Sequence, residues 1–168
     1  MPVEIIDNYL PPQAFLDLQQ MICYNMEFPF SIRSRVNPTS IDDVLDDWYA
    51  IHMLYYNDVP MTHFFNNVNS LLIEKIRSDK RLKSLIRAKC NFYGHTHEIV
   101  EHQSHTDYEY EHIAAVFSLN TCDGYTRIGD TIVESVENRI VFFDGSKIHN
   151  STSTSNKKGR FNINLNFL

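Results

Sequence analysis

The chain of 168 residues contains no run of 18 apolar residues, the minimum for a helix that crosses a bilayer, so no membrane span is expected. Its opening, "MPVEIIDNYLPP", lacks a basic stretch followed by a long apolar stretch, and no secretory signal is read there. Cysteine is scarce: Cys23, Cys90 and Cys122 lie far apart and form no CxxC pair. They are expected to be reduced thiols, small and buried, in a reducing and therefore cytoplasmic setting. Excess positive charge is lacking too. A formal net charge of −6 and a pI near 5.7 disfavour steering toward phosphate backbones. Internal repeats and long linkers are missing, which suits a single domain over residues 1–168.

What is present is a core. The chain is 43% hydrophobic and 12% aromatic. In "VEIIDNYLPPQAFLDLQQMICY" a short strand and a turn lead to a helix opened by Pro11 and Pro12, with Phe15, Leu18 and Ile22 on one face. A second helix is predicted from about Thr62, its cap, to Arg77, with Phe65, Val68, Leu72 and Ile76 as the buried stripe. Lys75–Lys89 carries seven basic residues and one acid. It reads as the solvated face of a helix and its exit loop, with Ile76, Leu82, Leu85 and Ile86 facing a core; the rival reading is a patch for an acidic partner.

After residue 88 the pattern changes to short runs rich in β-branched and aromatic residues: "KCNFY", "HIAAVFSLN", "DTIVESV", "RIVFFDG" and "RFNINLNFL". The fold class expected is α+β, mainly β. It is a jelly roll (double-stranded β-helix) with an N-terminal helical layer packed on one sheet, residues 1–88 being the support and 89–168 the core. In the last run Phe161, Ile163, Leu165 and Phe167 point one way. Arg160, Asn162, Asn164 and Asn166 point the other, onto solvent or into a polar interior that holds an anion.

The densest chemistry lies in "HQSHTDYEYEH". In extended chain, His105 and Asp107 project from one face and grip one ion. His149 follows 42 residues later, just past an apolar strand, far enough for the chain to return beside them. Two histidines and a carboxylate leave open positions on an iron(II) ion. Arg160, eleven residues after His149, is placed to take a carboxylate bidentately. His52, His63, His95, His97, His102 and His112 are assigned no ligand role.

The pattern His105-x-Asp107 … His149 … Arg160 resembles the 2-oxoglutarate/iron(II)-dependent dioxygenases, and most of all their prolyl-4-hydroxylase-like branch with its viral and bacterial members. The likeness extends to "VEIIDNYLPPQAFLDL", to "LNTCDGYT" with Gly124 and Thr126, and to "RIVFFDGSKIHNS". It implies that His105, Asp107 and His149 hold Fe(2+) and form the catalytic centre. It also implies that Arg160, Tyr93, Asn91 and Asn162 contact 2-oxoglutarate, with O2 as oxidant and ascorbate as reductant. Arginine stands at position 160 where prolyl hydroxylases often carry lysine, which weighs against proline as the substrate. A protein side chain, a small metabolite and a nucleic acid base all stay open as the prime substrate.

Two alternatives remain. "HTHEIVE" resembles the first metal motif of cupins, which would use His95, His97, Glu101 and His149; the glycines of that motif are replaced here by Lys89 and Tyr108. The other is a non-catalytic jelly-roll binding module.

Overall fold

A computed structural model describes residues 1–36, 48–80 and 83–168. Strand β1 (Glu4–Ile6) leads to helix α1 (Pro12–Gln19), which opens at Pro12 and closes in a π-helical turn, Gln20–Tyr24. Proline at a first helical position gives up only an N–H that has no intrahelical partner. Strands β2 (Ser31–Arg33), β3 (Tyr49–Tyr56) and β4 (Val59–Pro60) follow. Helix α2 (Phe64–Val68) then runs through a π turn (Asn69–Ile73) into α3 (Glu74–Lys80). The remaining strands are β5 (Leu85–Gly94), β6 (Ile113–Ser118), β7 (Tyr125–Ile128), β8 (Thr131–Glu134), β9 (Ile140–Asp144), β10 (His149–Ser151) and β11 (Gly159–Phe167).

The strands form two sheets. The major sheet is antiparallel throughout and runs β1-β9-β6-β11-β5-β3-β2, with β4 beside β3; the minor sheet runs β10-β7-β8. The chain between β5 and β6 lies along β10 and the residues that follow it, bridging at His105–His149, Glu101–Thr152 and His95–Thr154, and so extends the minor sheet. This is a jelly roll with a helical layer on the major sheet.

Strand β11 shows why the layers form. It lies between β5 and β6, and its odd residues Ile163, Leu165 and Phe167 are buried against the helices. Phe15, Leu18 and Ile22 of the first helix, with Phe65, Val68, Leu72 and Ile76 of the second, complete that core. Each such side chain contributes about 1.5–3 kcal/mol by leaving water. The even residues Arg160, Asn162, Asn164 and Asn166 are also buried, so the amide face lies between the sheets and not on the surface.

Three expectations need correction, and one strand, β3, was not foreseen. Thr62 does not cap the second helix; His63 is the N-cap residue without a side-chain bond, and the Thr62 hydroxyl meets His52 Nε2 at 3.0 Å. Strand β3, for which the sequence shows no alternation, is buried along most of its length on both faces, and such strands lose period-2 patterning. A division at residue 88 falls inside β5, and residues 1–88 supply β1 to β4 as well as the helices. The basic run is neither one solvated face nor one patch: Lys75, Arg77 and Lys80 lie on α3, whereas Arg87 and Lys89 lie on β5 and line an internal cavity. Leu82, from the expected stripe, is outside the described residues.

Candidate metal centre and cavity

Between the sheets is a cavity of about 490 Å³. Its walls include Val36, Tyr49, Arg87, Lys89, Asn91, Tyr93, Val116, Thr126, Ser151, Asn162 and Asn164, and His105, Asp107 and His149 also line it. The ligand-capable atoms of these last three lie within 4.8 Å of one another. Among the described residues this is the one group of three or more His, Cys, Asp or Glu gathered closely enough to share an ion.

Local structure fixes each of the three. His105 and His149 exchange backbone hydrogen bonds at 3.0 Å in both directions, which sets their rings 4.5 Å apart, centre to centre. His149 Nδ1 meets the Lys147 carbonyl at 2.9 Å; donation there leaves Nε2 as a lone-pair donor, 3.8 Å from Asp107 Oδ2. The Phe143 ring stands edge-on against His149 at 5.0 Å. Burial pushes the His105 imidazole down to about 4, with His149 adding to the effect, so the ring is neutral and able to ligate at neutral pH.

Asp107 is tied at both oxygens. Oδ1 accepts from Arg87 Nη2, and Oδ2 accepts from Asn166 Nδ2 at 2.8 Å. Burial alone would raise its carboxyl, but the charges of Arg87, His149 and Lys89 and the Asn166 bond hold it well below the usual carboxylate range. Arg87 also donates to Asn164 Oδ1 at 3.2 Å, and Asn166 lies 3.2 Å from His112 Nε2. Alternate residues of β5 and β11 thus form a polar frame around the carboxylate.

At the other end of the same strands lies Arg160, 1% exposed. Its Nη2 donates to Thr126 Oγ1 at 2.7 Å and its Nη1 to the Thr152 carbonyl at 3.2 Å; Nε is buried and has no partner among the described residues. The guanidinium lies 5.4 Å from the centre of the Tyr93 ring. Gly124 makes room for it: a Cβ there would sit 2.5 Å from the Ser153 carbonyl oxygen and 2.8 Å from Arg160 Cδ. Tyr93 is stacked between Tyr49 at 5.7 Å and His102 at 5.3 Å, and its hydroxyl bonds Ser151. Asn91 and Asn162 bond each other at 2.8 Å across the β5–β11 pair. Tyr93, Asn91 and Asn162 line the cavity toward the Arg160 end of the strands, with Arg160 itself held against Tyr93 and Thr126 beyond the lining, and His105, Asp107 and His149 line it near Arg87.

The cupin-like set is not assembled. Glu101 is held by Arg127 and by the Tyr125 hydroxyl at 2.7 Å, and with His95 and His97 it joins no metal-capable group that includes His149. His102 is buried, with Nδ1 2.9 Å from Ser151 Oγ. His52 is bonded to the Pro29 carbonyl and to Thr62.

Sequence reasoning missed Arg87 and Lys89 as parts of this cavity. The signal was present as the alternation Arg87-x-Lys89-x-Asn91-x-Tyr93, which puts all four on one face of a strand begun at Leu85. Burial pushes the Lys89 ammonium down to about 7, with Arg87 adding and Asp107 opposing.

No family model and no curated protein matches the sequence. Solved structures do. A Pseudomonas putida prolyl-4-hydroxylase is 15% identical with a TM-score of 0.60, over 98% of this chain and 91% of that one. The viral collagen prolyl hydroxylase of Paramecium Bursaria Chlorella virus-1, solved with 2-oxoglutarate, is 12% identical with a TM-score of 0.62, over 98% and 94%. The α-ketoglutarate-dependent carbocyclase SnoK of nogalamycin biosynthesis is 10% identical with a TM-score of 0.68, over 98% and 78%. The chain has the fold of the 2-oxoglutarate- and iron(II)-dependent oxygenases, with prolyl-4-hydroxylases among its structural neighbours. Among the described residues no helix is long and apolar enough to cross a membrane.

Proposed function

We propose that this protein, built on the oxygenase fold, is an iron(II)- and 2-oxoglutarate-dependent dioxygenase that hydroxylates a prime substrate. One observation carries the reading: three ligand atoms within 4.8 Å at one end of a cavity, with a buried guanidinium holding an unpartnered N–H beyond its other end. The donor set of two imidazoles and one carboxylate fits iron(II) and leaves open positions on the ion. In the overall reaction one oxygen atom of O2 enters a C–H bond of the substrate; the other enters succinate as 2-oxoglutarate loses CO2.

The protein's own part is to hold and orient. His105, Asp107 and His149 are the proposed ligands. Arg87 and Asn166 keep Asp107 ionised and fix its direction, and the Lys147 carbonyl and Phe143 fix the His149 ring. Arg160 takes the far carboxylate of 2-oxoglutarate, with Thr126 and the hydroxyl of Tyr93 beside it. Asn91 and Asn162 line the path between the two ends.

The test is succinate formation from 2-oxoglutarate with iron(II), O2 and ascorbate. The proposal requires succinate above the metal-free background, lost in Asp107→Ala. Metal-loaded protein that makes none, with peptides, small acids and nucleic acids supplied, would mark the fold as a binding module.

A further inference from the structure

The proposed reaction leaves one cationic side chain of the cavity without a task. Arg87 gives its Nη2 to Asp107 and Asn164, so its charge is paired with the metal-site carboxylate, and Arg160 is bonded to Thr126 and Thr152 with 2-oxoglutarate beyond. Lys89 lines the same cavity, yet makes no hydrogen bond or ion pair with any described residue. Its Nζ lies 5.4 Å from the centre of the Tyr49 ring, on a wall completed by Val36. Lys89 is half-buried, and Asp107, the carboxylate whose charge acts on it, is already bonded to Arg87 and Asn166; an ammonium partly removed from water with no bonded counter-ion is costly, and a ligand's anion would supply one.

The strand register says which ligand this is not. Lys89 and Tyr93 are four residues apart on one face of β5, about 13 Å at roughly 3.3 Å per residue. Arg160 sits opposite Tyr93, and Lys89 opposite Asn164. A 2-oxoglutarate that spans the metal end and Arg160 has used both its carboxylates. We infer that Lys89 binds a carboxylate of the prime substrate, and that this substrate is a small organic acid whose apolar part rests on Tyr49 and Val36. The inference rests on the dioxygenase reading for the placement of 2-oxoglutarate. A single cation suits a singly charged carboxylate. An acidic peptide is disfavoured, because Glu109 also lines the cavity and the chain carries a net charge of −6.

Propionate is the probe. The protein is loaded with Mn(II) and saturating 2-oxoglutarate, and paramagnetic relaxation of the propionate protons is followed by NMR. Propionate is expected to be relaxed saturably, and propionamide not at all. Lys89→Met is expected to weaken propionate about tenfold or more, the loss of about 1.4 kcal/mol, while Lys89→Arg restores binding and so separates a lost charge from a misfolded variant. Equal relaxation in wild type and Lys89→Met, or none in either, overturns the inference. So does propionate relaxation that is seen before 2-oxoglutarate is added and lost once it is saturating, which would give Lys89 to the co-substrate. Acetyl-Gly-Asp-Gly-amide that binds as well as propionate overturns the small-acid assignment. The methylene protons of 2-oxoglutarate report in the same tube: if they show no binding while propionate still depends on Lys89, the dioxygenase reading fails and the anion site stands.

Discussion

His105 and His149 face each other across an antiparallel bridge, each donating its backbone N–H to the other's carbonyl at 3.0 Å. The separation of the two rings is therefore set by main-chain hydrogen bonds between the β5–β6 connection and β10. If the proposed function holds, a metal centre built this way is formed before an ion arrives. Asp107, two residues further on, completes it, and its own direction is set from the opposite sheet.

Asn166 is the most exposed test of that last point. Its side chain donates to Asp107 Oδ2 at 2.8 Å and is itself fully buried. Asn166→Ala is expected to weaken metal binding roughly 10- to 100-fold, the usual effect of removing a group that orients a ligand. Calorimetric titration with Mn(II) reads it. Unchanged affinity would show that Arg87 orients the carboxylate alone.

Arg160→Ala is expected to weaken 2-oxoglutarate roughly 10- to 150-fold, from about 1.5–3 kcal/mol for a charge-assisted bidentate contact. Arg160→Lys keeps the charge without the fork and falls between. Anaerobic titration of the iron-loaded protein with 2-oxoglutarate measures both, and metal affinity is expected to stay within about twofold.

Gly124→Ala probes the space beside that guanidinium. The added methyl would meet the Ser153 carbonyl at 2.5 Å and Arg160 Cδ at 2.8 Å, and the first of these is backbone, which yields little. A loss of about 1–3 kcal/mol in urea unfolding is expected, the cost of an overpacked site, together with weaker 2-oxoglutarate binding. A variant of unchanged stability and affinity would place the glycine outside the support of the anchor.

His102 gives a pH dependence. Burial, followed by the charge of Arg160, pushes its imidazole down to about 4, against about 6.5 in an unfolded chain. Between those values the unfolded state binds the extra proton. Stability is therefore full above about pH 6.5 and declines as the pH falls toward 4, by at most about 3 kcal/mol from this residue. His105 shifts in the same direction and adds to the slope. Urea unfolding at several pH values checks it: His102→Phe is expected to flatten the decline by close to one proton, and an identical slope would contradict the assignment.

Much of the site was legible because its signals are local or periodic. The two-residue spacing of His105 and Asp107 and the strict alternation of β11 point to the gathered His–Asp–His group and to the buried amide face that the structure shows. What stayed hidden depends on partners distant in sequence. β3 is buried on both faces and shows no period. Arg87 and Lys89 continue a basic run begun on α3, and composition does not show that the chain turns from helix to strand between them. That Asn166 serves Asp107, and not solvent, follows only from the pairing of β11 with β5 and β6.

The central claim is that His105, Asp107 and His149 form one iron site that gives 2-oxoglutarate its place. The most direct measurement is anaerobic binding of 2-oxoglutarate with and without iron(II), in wild type and in Asp107→Ala, with His97→Ala and Glu101→Ala as controls. The expected result is one equivalent of iron, one equivalent of 2-oxoglutarate bound only when iron is present, both lost in Asp107→Ala and both kept in the controls. Iron retained by Asp107→Ala, or 2-oxoglutarate bound equally well without metal, would contradict the account.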